Sequence, residues 1–394
     1  MQLRIETAVI LAAGKGTRLI PLTLTRPKVL LPIGGIPLLK RQVDMLMDIG
    51  IKNIIIVVNY MADAIRHFIY DAYSNHDVQF SFIDQGVPFG TAHAVEVTEE
   101  YVKPPFLVLY GDIFITKDAL IKLVNALDQA DAAVIAVRVP DPWNYGVFKI
   151  DSYNRILDIV EKPSPGAEPS NLINGGIYAF RDMTIFDYIR KTGISPRGEK
   201  EFTDSLKYMA MEYVVRAVPI PRHIWCDIGR PWDLLRANKI ALSTTGSYID
   251  PEAKIDSSAI IRDPVYVGKG VRICSNVHIG PYCVLGDNVY ISYNSRIEDS
   301  IIMCNTKIGS DVVIRDSIVG ENVVISDNVS FYSEWFSGGN IWYRINNQVV
   351  DTGVTRFGAV VGDSVYIDPS SVICPGIFIM PYRRVNGVVV DDVI

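Results

Sequence analysis

Two hydrophobic rhythms divide the chain. Up to residue 242, short apolar runs alternate with segments whose apolar residues recur three or four apart. Ile54-Ile55-Ile56-Val57-Val58 is unbroken, the pattern of a strand covered on both faces. Val9–Leu11, Val78–Ile83, Phe106–Tyr110 and Ala132–Val139 read as further strands. Between them, Leu39, Val43, Leu46 and Met47 keep helical spacing over 37–49, and Gly50 stands where a C′ glycine ends a helix. Ala62–Ala72, Thr91–Tyr101 and Asp118–Ala130 read as helices too. The alternation predicts an α/β domain with an open, mostly parallel sheet between helices. Ligands of such sheets lie beyond the carboxyl ends of the strands.

From residue 250 the rhythm is six. Ile255, Ile261, Val267, Ile273, Ile279, Leu285, Ile291 and Ile297 fall at six-residue intervals, and small or aliphatic residues stand two places before each. This hexapeptide repeat predicts a parallel β-helix with three flat sides per coil and the aliphatics stacked inside. The register slips near 302 and 319, resumes at Ile308, Ile314 and Ile325, and returns at Val361, Ile367, Ile373 and Ile379. Residues 331–357 interrupt it with Phe331, Tyr332, Trp335, Phe336, Trp342 and Tyr343. That segment reads either as a loop packing on a neighbouring subunit or the first domain, or as a hairpin over the β-helix's own core. The small polar run 243–249 reads as a linker, so the expected domains are 1–242 and 250–394.

Composition narrows the function. With 49% apolar and 21% charged residues the 394-residue chain is globular rather than disordered. A net charge of −6 argues against a nucleic-acid binder and leaves room for a local cationic site. No apolar run approaches a membrane span and no signal pattern opens the chain, so a cytoplasmic protein with no membrane partner is expected. The five cysteines form no C-x-x-C pair and read as reduced thiols rather than a metal site.

The chemistry concentrates in Val9–Lys28. A strand runs into Leu11-Ala12-Ala13-Gly14-Lys15-Gly16-Thr17-Arg18, where glycines uncover backbone N–H groups and Lys15 and Arg18 add positive charge. That combination suits a phosphate. Position 19 is leucine and no G-K-[ST] follows, so neither the dinucleotide fingerprint nor the P-loop is present. Gly111-Asp112 follows a predicted strand, and Asp227 lies in Trp225-Cys226-Asp227-Ile228-Gly229; two carboxylates brought together would suit Mg²⁺.

The longer string L-A-A-G-x-G-T-R-L, with Pro21-Leu22-Thr23 and Arg26-Pro27-Lys28, resembles the signature of the sugar-1-phosphate nucleotidyltransferases. Gln85 with Gly90-Thr91-Ala92, Tyr145-Gly146-Val147, Glu161-Lys162-Pro163 and Asn174-Gly175-Gly176 match further family strings in order, the last with one Ala→Gly difference. The resemblance implies a Rossmann-like nucleotidyltransferase domain followed by a left-handed β-helix, as in GlmU-like and glucose-1-phosphate thymidylyltransferase-like members of archaeal type. It implies nucleotide binding by residues 11–17, Gln85, Gly90 and Thr91. Sugar-phosphate binding falls to Tyr145, Gly146, Glu161 and Asn174, catalytic roles to Arg18, Lys28 and Lys162, and Mg²⁺ ligation to Asp112 and Asp227. UTP or dTTP with glucose- or N-acetylglucosamine-1-phosphate is the favoured pair, ahead of a mannose-1-phosphate guanylyltransferase or a non-catalytic regulatory homologue. In bifunctional members the β-helix acetylates an amino sugar phosphate using a His base. Here no His follows His278 and no Lys follows Lys307, and the matching place, Val313–Asp316, holds no neutral-pH base. A structural, oligomerising or regulatory β-helix, hence a homo-oligomer, is the expectation.

Overall fold

A computed structural model describes residues 4–394. It falls into two compact units. One is the chain up to Gly14 with Leu38–Asp227, and the other is Lys15–Pro37 with Ile228–Ile394.

The first unit opens with β1 (Thr7–Leu11), α1 (Leu38–Asp48), β2 (Asn53–Val58), α2 (Ala62–Tyr73), β3 (Gln79–Asp84) and α3 (Thr91–Glu96). β4 (Phe106–Tyr110), β5 (Ile113–Ile115), α4 (Lys117–Ala126) and β6 (Ala132–Arg138) follow. The order matches the alternation in the sequence. Gly50 ends α1 with φ 94°, a value costly for residues that carry a Cβ. α3 is shorter than expected because the chain beyond Glu96 tightens into i→i−3 turns at Thr98, Glu99 and Tyr101, the Thr98 hydroxyl also donating to the Val95 carbonyl at 2.7 Å.

After β6 the alternation stops. β7 (Gly146–Ile150), β8 (Ile156–Glu161) and β9 (Leu172–Phe180) run with no α-helix between them, before α5 (Thr184–Lys191), α6 (Phe202–Glu212), β10 (Val215–Ile220) and β11 (Trp225–Asp227). The nine-stranded sheet runs β8-β7-β9-β4-β1-β2-β3, with β6 beside β9 and β10. β4, β1, β2 and β3 are mutually parallel, as are β6 and β10, whereas β9 runs antiparallel to its neighbours. β2 is buried on both faces from Ile54 to Val58, as an unbroken β-branched run requires. Phe106 stacks on Phe180 with centroids 5.3 Å apart, and Phe202 of α6 meets Tyr178 edge-on at 4.9 Å, closing the core on one face.

The second unit is a β-helix, the segment Lys15–Pro37 and α7 (Pro231–Thr245). Residues 243–245, read as linker, are the last turn of α7, and Tyr248–Ile249 is already the first β-helix strand. Three parallel seven-stranded sheets carry the coils, as left-handed hexapeptide repeats do. Corners at Asn276, Asn288, Asn294, Asn305, Asn322 and Asn328 are left-handed, with φ between 56° and 60°, which explains why Asn recurs there. The register slips are coils one residue short: Leu285 pairs with Ile302 and Ile302 with Val319, so the stack continues while a corner loses a residue. The interruption contains a hairpin pairing Trp342–Ile345 with Gln348–Asp351. Its Tyr343 is buried against Phe357, Phe378 and Trp232 of α7, so the segment covers its own unit's core. Among the described residues all five cysteines are free, and no helix is long and apolar enough to cross a membrane.

Candidate functional site

In the first unit, β1 delivers Leu11, Ala12, Ala13 and Gly14 at its carboxyl end. The Ala12 N–H donates to the Val57 carbonyl at 2.8 Å, and a Cβ on Gly14 would meet nothing within 4 Å. The chain then enters the second unit with Lys15, Gly16, Thr17 and Arg18. Gly16 is left-handed at φ 63°, and its carbonyl accepts the Thr23 hydroxyl at 2.9 Å. A Cβ at Gly16 would stand 3.1 Å from that of Lys28, so the nearly buried Lys28 stem packs directly over this glycine. The Arg18 guanidinium lies over Gly229, 3.3 Å from where its Cβ would be. Gly16 and Lys28 thus touch, and Arg18 lies in the same unit.

Strand pairing brings the backbones of the two aspartates close. β11 runs antiparallel to β5 with Asp227 opposite Ile113, the residue after Asp112. Trp225 anchors β11: its ring is buried and its indole N–H donates to the Gly175 carbonyl at 3.0 Å. Among the described residues no group of three or more His, Cys, Asp or Glu side chains could hold a metal. A divalent cation here would keep two carboxylates and draw its other oxygens from water and phosphate, as Mg²⁺ does.

Glu161, Lys162, Tyr145 and Gly146 are adjacent. The Lys162 N–H donates to the Tyr145 carbonyl at 2.9 Å, and Lys162 is left-handed at φ 43°, an uncommon state for a residue with a Cβ. Its side chain is half exposed, with Nζ 4.0 Å from Glu161. Gly146 is glycine because a Cβ would lie 2.8 Å from the Glu161 carboxylate and 2.9 Å from Thr203. Asn174 sits at a bulge in β9; its amide donates to the Tyr178 hydroxyl at 2.6 Å and its oxygen accepts the Gly176 N–H at 3.0 Å. Burial holds the Tyr178 phenol well above its ordinary pKa, with the Tyr110 hydroxyl adding to the shift.

The segment expected to hold the nucleotide is tied to the turn before α6. At Gly90, where the resemblance implies nucleotide binding, the chain itself comes close: a Cβ would stand 2.6 Å from the Lys200 carbonyl. Lys200 brackets this turn, donating its N–H to the Phe89 carbonyl and accepting from Ala92. Gln85 spends its amide N–H on the Gly90 carbonyl at 3.1 Å, and Thr91 accepts the Phe202 N–H at 3.0 Å.

Sequence reasoning missed Arg197, Glu201 and Thr203. Thr203 donates to Glu161 at 2.8 Å, and Arg197 bridges Glu161 at 3.2 Å and Glu201 at 2.7 Å. Burial, then the negative charge of Glu161, raises the Glu201 pKa. The charged run Arg197-Gly198-Glu199-Lys200-Glu201 between two helices was the available signal. Arg26, of the string Arg26-Pro27-Lys28, has its guanidinium mostly buried in the second unit, on Glu321 and Asp363.

Residues 7–244 match the nucleotidyl transferase family model, and residues 261–394 match the GMPPB C-terminal domain. The chain is similar to the bifunctional protein GlmU of Methanocaldococcus jannaschii, 35% identical over 94% of this chain and 91% of that one. It is 31% identical to a bifunctional sugar-1-phosphate nucleotidylyltransferase/acetyltransferase of Sulfurisphaera tokodaii, over 98% of this chain and 97% of that one. A glucose-1-phosphate thymidylyltransferase structure from Bacillus anthracis is 30% identical over 60% of this chain and 94% of that chain, with a TM-score of 0.53. A UDP-glucose pyrophosphorylase complexed with UDP-glucose is 25% identical over 61% of this chain and all of that chain, at 0.55. Enzymes of this family generally work with a divalent metal. With the signature string, the nucleotidyl transferase match over residues 7–244 and the hexapeptide coils in place, the chain belongs to the nucleotidyl transferase family, as a sugar-1-phosphate nucleotidyltransferase that carries a C-terminal β-helix.

Proposed function

We propose that the protein joins UTP or dTTP to glucose-1-phosphate or N-acetylglucosamine-1-phosphate. A phosphate oxygen of the sugar phosphate attacks the α-phosphorus in line, the α–β bridging bond breaks, and pyrophosphate leaves. The nucleophile is already an anion, so the protein needs no general base and works by positioning and charge neutralisation. Residues 11–17, Gln85, Gly90 and Thr91 hold the nucleotide. Arg18 and Lys28 neutralise the triphosphate and the charge that develops on the leaving group. Lys162 holds the sugar phosphate, while Tyr145, Gly146, Glu161 and Asn174 bind the sugar. Asp112 and Asp227 hold Mg²⁺, which when bound supplies positive charge to phosphate oxygens. The observation that supports this reading most is the register that sets Asp227 opposite Ile113, beside Asp112.

The test is pyrophosphate release across UTP, dTTP, GTP, CTP and ATP against glucose-, mannose- and N-acetylglucosamine-1-phosphate, with Mg²⁺. Turnover with UTP or dTTP and a gluco-configured sugar is expected, and EDTA should abolish it. Lys28→Ala and Asp112→Ala should each lose about a hundredfold or more in kcat while remaining folded. GTP with mannose-1-phosphate as the sole active pair would establish the guanylyl reading, which rests on the Gly90-Thr91-Ala92 string and the hexapeptide tail. Silence everywhere from folded protein would point to the regulatory homologue.

We infer further that the β-helix does not acetylate. At the place where bifunctional members carry their base, Arg315 pairs with Glu298 and Asp316 with Arg356. Thiol release from acetyl-CoA in the presence of glucosamine-1-phosphate should stay at background; sustained release would overturn this.

A further inference from the structure

Arg26 stands two residues before Lys28. One guanidinium nitrogen donates to Glu321 at 2.8 Å and meets the Met303 sulfur at 3.0 Å, and the other donates to Asp363. The Arg26 and Asp363 side chains are only 12% and 11% exposed, so this is a largely desolvated pair. Such a pair returns little net stability, because desolvation offsets most of the attraction, and its best-attested use is to fix a register. Asp363 is built for two tasks. Asp287, Asp327 and Asp363 each use one carboxylate oxygen to accept a corner N–H, from Lys269, Ser310 and Glu321 respectively. Asp363 turns its second oxygen to Arg26. Tyr343 adds a hydrogen bond to the Ile20 carbonyl at 3.3 Å, and Gly35 lies against the Tyr266 ring so closely that a Cβ would fall 2.2 Å from it.

We propose that the β-helix is the scaffold that positions the transferase signature loop, with Arg26 as the positioning residue and Glu321 and Asp363 as its seat. Inside the loop, the Thr23 hydroxyl holds the Gly16 carbonyl and the Lys28 stem covers Gly16, so glycine turn and lysine move as one piece. Clamping Arg26 therefore fixes where Lys28 and Arg18 present their charges. The inference rests on the catalytic roles proposed above for those two residues.

The test uses the full-length chain carrying Glu321→Gln with Asp363→Asn. Both replacements keep an acceptor oxygen, so the corner N–H of Glu321 stays satisfied while the seat loses its charge. Three readouts are compared with wild type: amide exchange of peptides covering 15–37, kcat against KM for both substrates, and thermal melting. The expected result is faster exchange at Leu19, Leu24 and Leu31, unchanged exchange at Ile302 and Val319, and a kcat lower by roughly tenfold to a hundredfold, the scale of an ångström of misplacement. Arg26→Lys, which keeps the charge and loses the fork, should fall between. Faster loop exchange with unchanged kcat would overturn the positioning role, and unchanged loop exchange would overturn the seat. A kcat loss that only follows the loss of folded protein would reduce the pair to a stability element and overturn the proposal. If wild type is inactive with every substrate pair, the proposed function fails, and the exchange measurement still decides whether the carboxylates hold the loop.

Discussion

The residues around Glu161 show how one glycine and one carboxylate can be tested apart. A Cβ at Gly146 would press on both Glu161 and Thr203, so Gly146→Ala should displace the Glu161 carboxylate. Its expected effect is a rise of about tenfold in KM for the sugar phosphate, near 1.4 kcal/mol, with melting little changed, measured by steady-state kinetics. Glu201 gives a pH signature. Its folded pKa is raised, by burial first and by Glu161 second. The folded state therefore holds this proton more tightly than the unfolded chain does. Stability linked to the group is complete below the ordinary carboxylate pKa and is lost as pH rises through the raised folded value. Glu201→Gln, which can still accept from Arg197, removes that dependence. The melting temperature of wild type relative to Glu201→Gln should fall as pH rises from about 4 to about 7. A difference that stays flat across that range would show that Glu201 does not titrate with folding. Single side chains such as Glu161, Asn174 and Lys162 were legible as family strings. Arg197 and Thr203 were not, because their relation to Glu161 is made by α6 and the turn before it, some forty positions away.

At the scale of elements, periodicity carried most of what was legible. Period six located the β-helix, since a corner every sixth residue favours Asn, Gly or Asp and the recurring aliphatic, as at Ile273, Ile279 and Ile291, must point inward. The slips at 302 and 319 looked like faults only in one dimension; in the stack, Leu285, Ile302 and Val319 remain in line. Ile302 is fully buried in that column, so Ile302→Ala should cost about 2–5 kcal/mol in denaturant unfolding, against less than about 0.5 kcal/mol for the exposed Tyr153→Ala. The antiparallel excursion β7–β8–β9 was less legible. Val147 and Phe148 make a short apolar segment that two-residue spacing alone could not assign to a hairpin rather than to another parallel crossover. Strand type is fixed there by pairing partners, not by local pattern.

For the molecule as a whole, the expected division fell where the rhythm changes, near residue 242. Compactness divides the chain elsewhere, because Lys15–Pro37 and α7 gather with the β-helix. No pattern within residues 15–37 could reveal this, as the partners of Arg26 lie 295 and 337 positions downstream. The order of synthesis acquires a meaning from this. A ribosome adding about 5–20 residues per second makes Arg26 roughly 15–70 s before Asp363. The signature loop is thus made well before the carboxylates proposed to seat it. A nascent chain halted before residue 363 carries every residue of the transferase signature and lacks one carboxylate of the proposed clamp, so on that proposal the full rate of nucleotidyl transfer would arrive with the coil that holds Asp363 rather than with the signature itself.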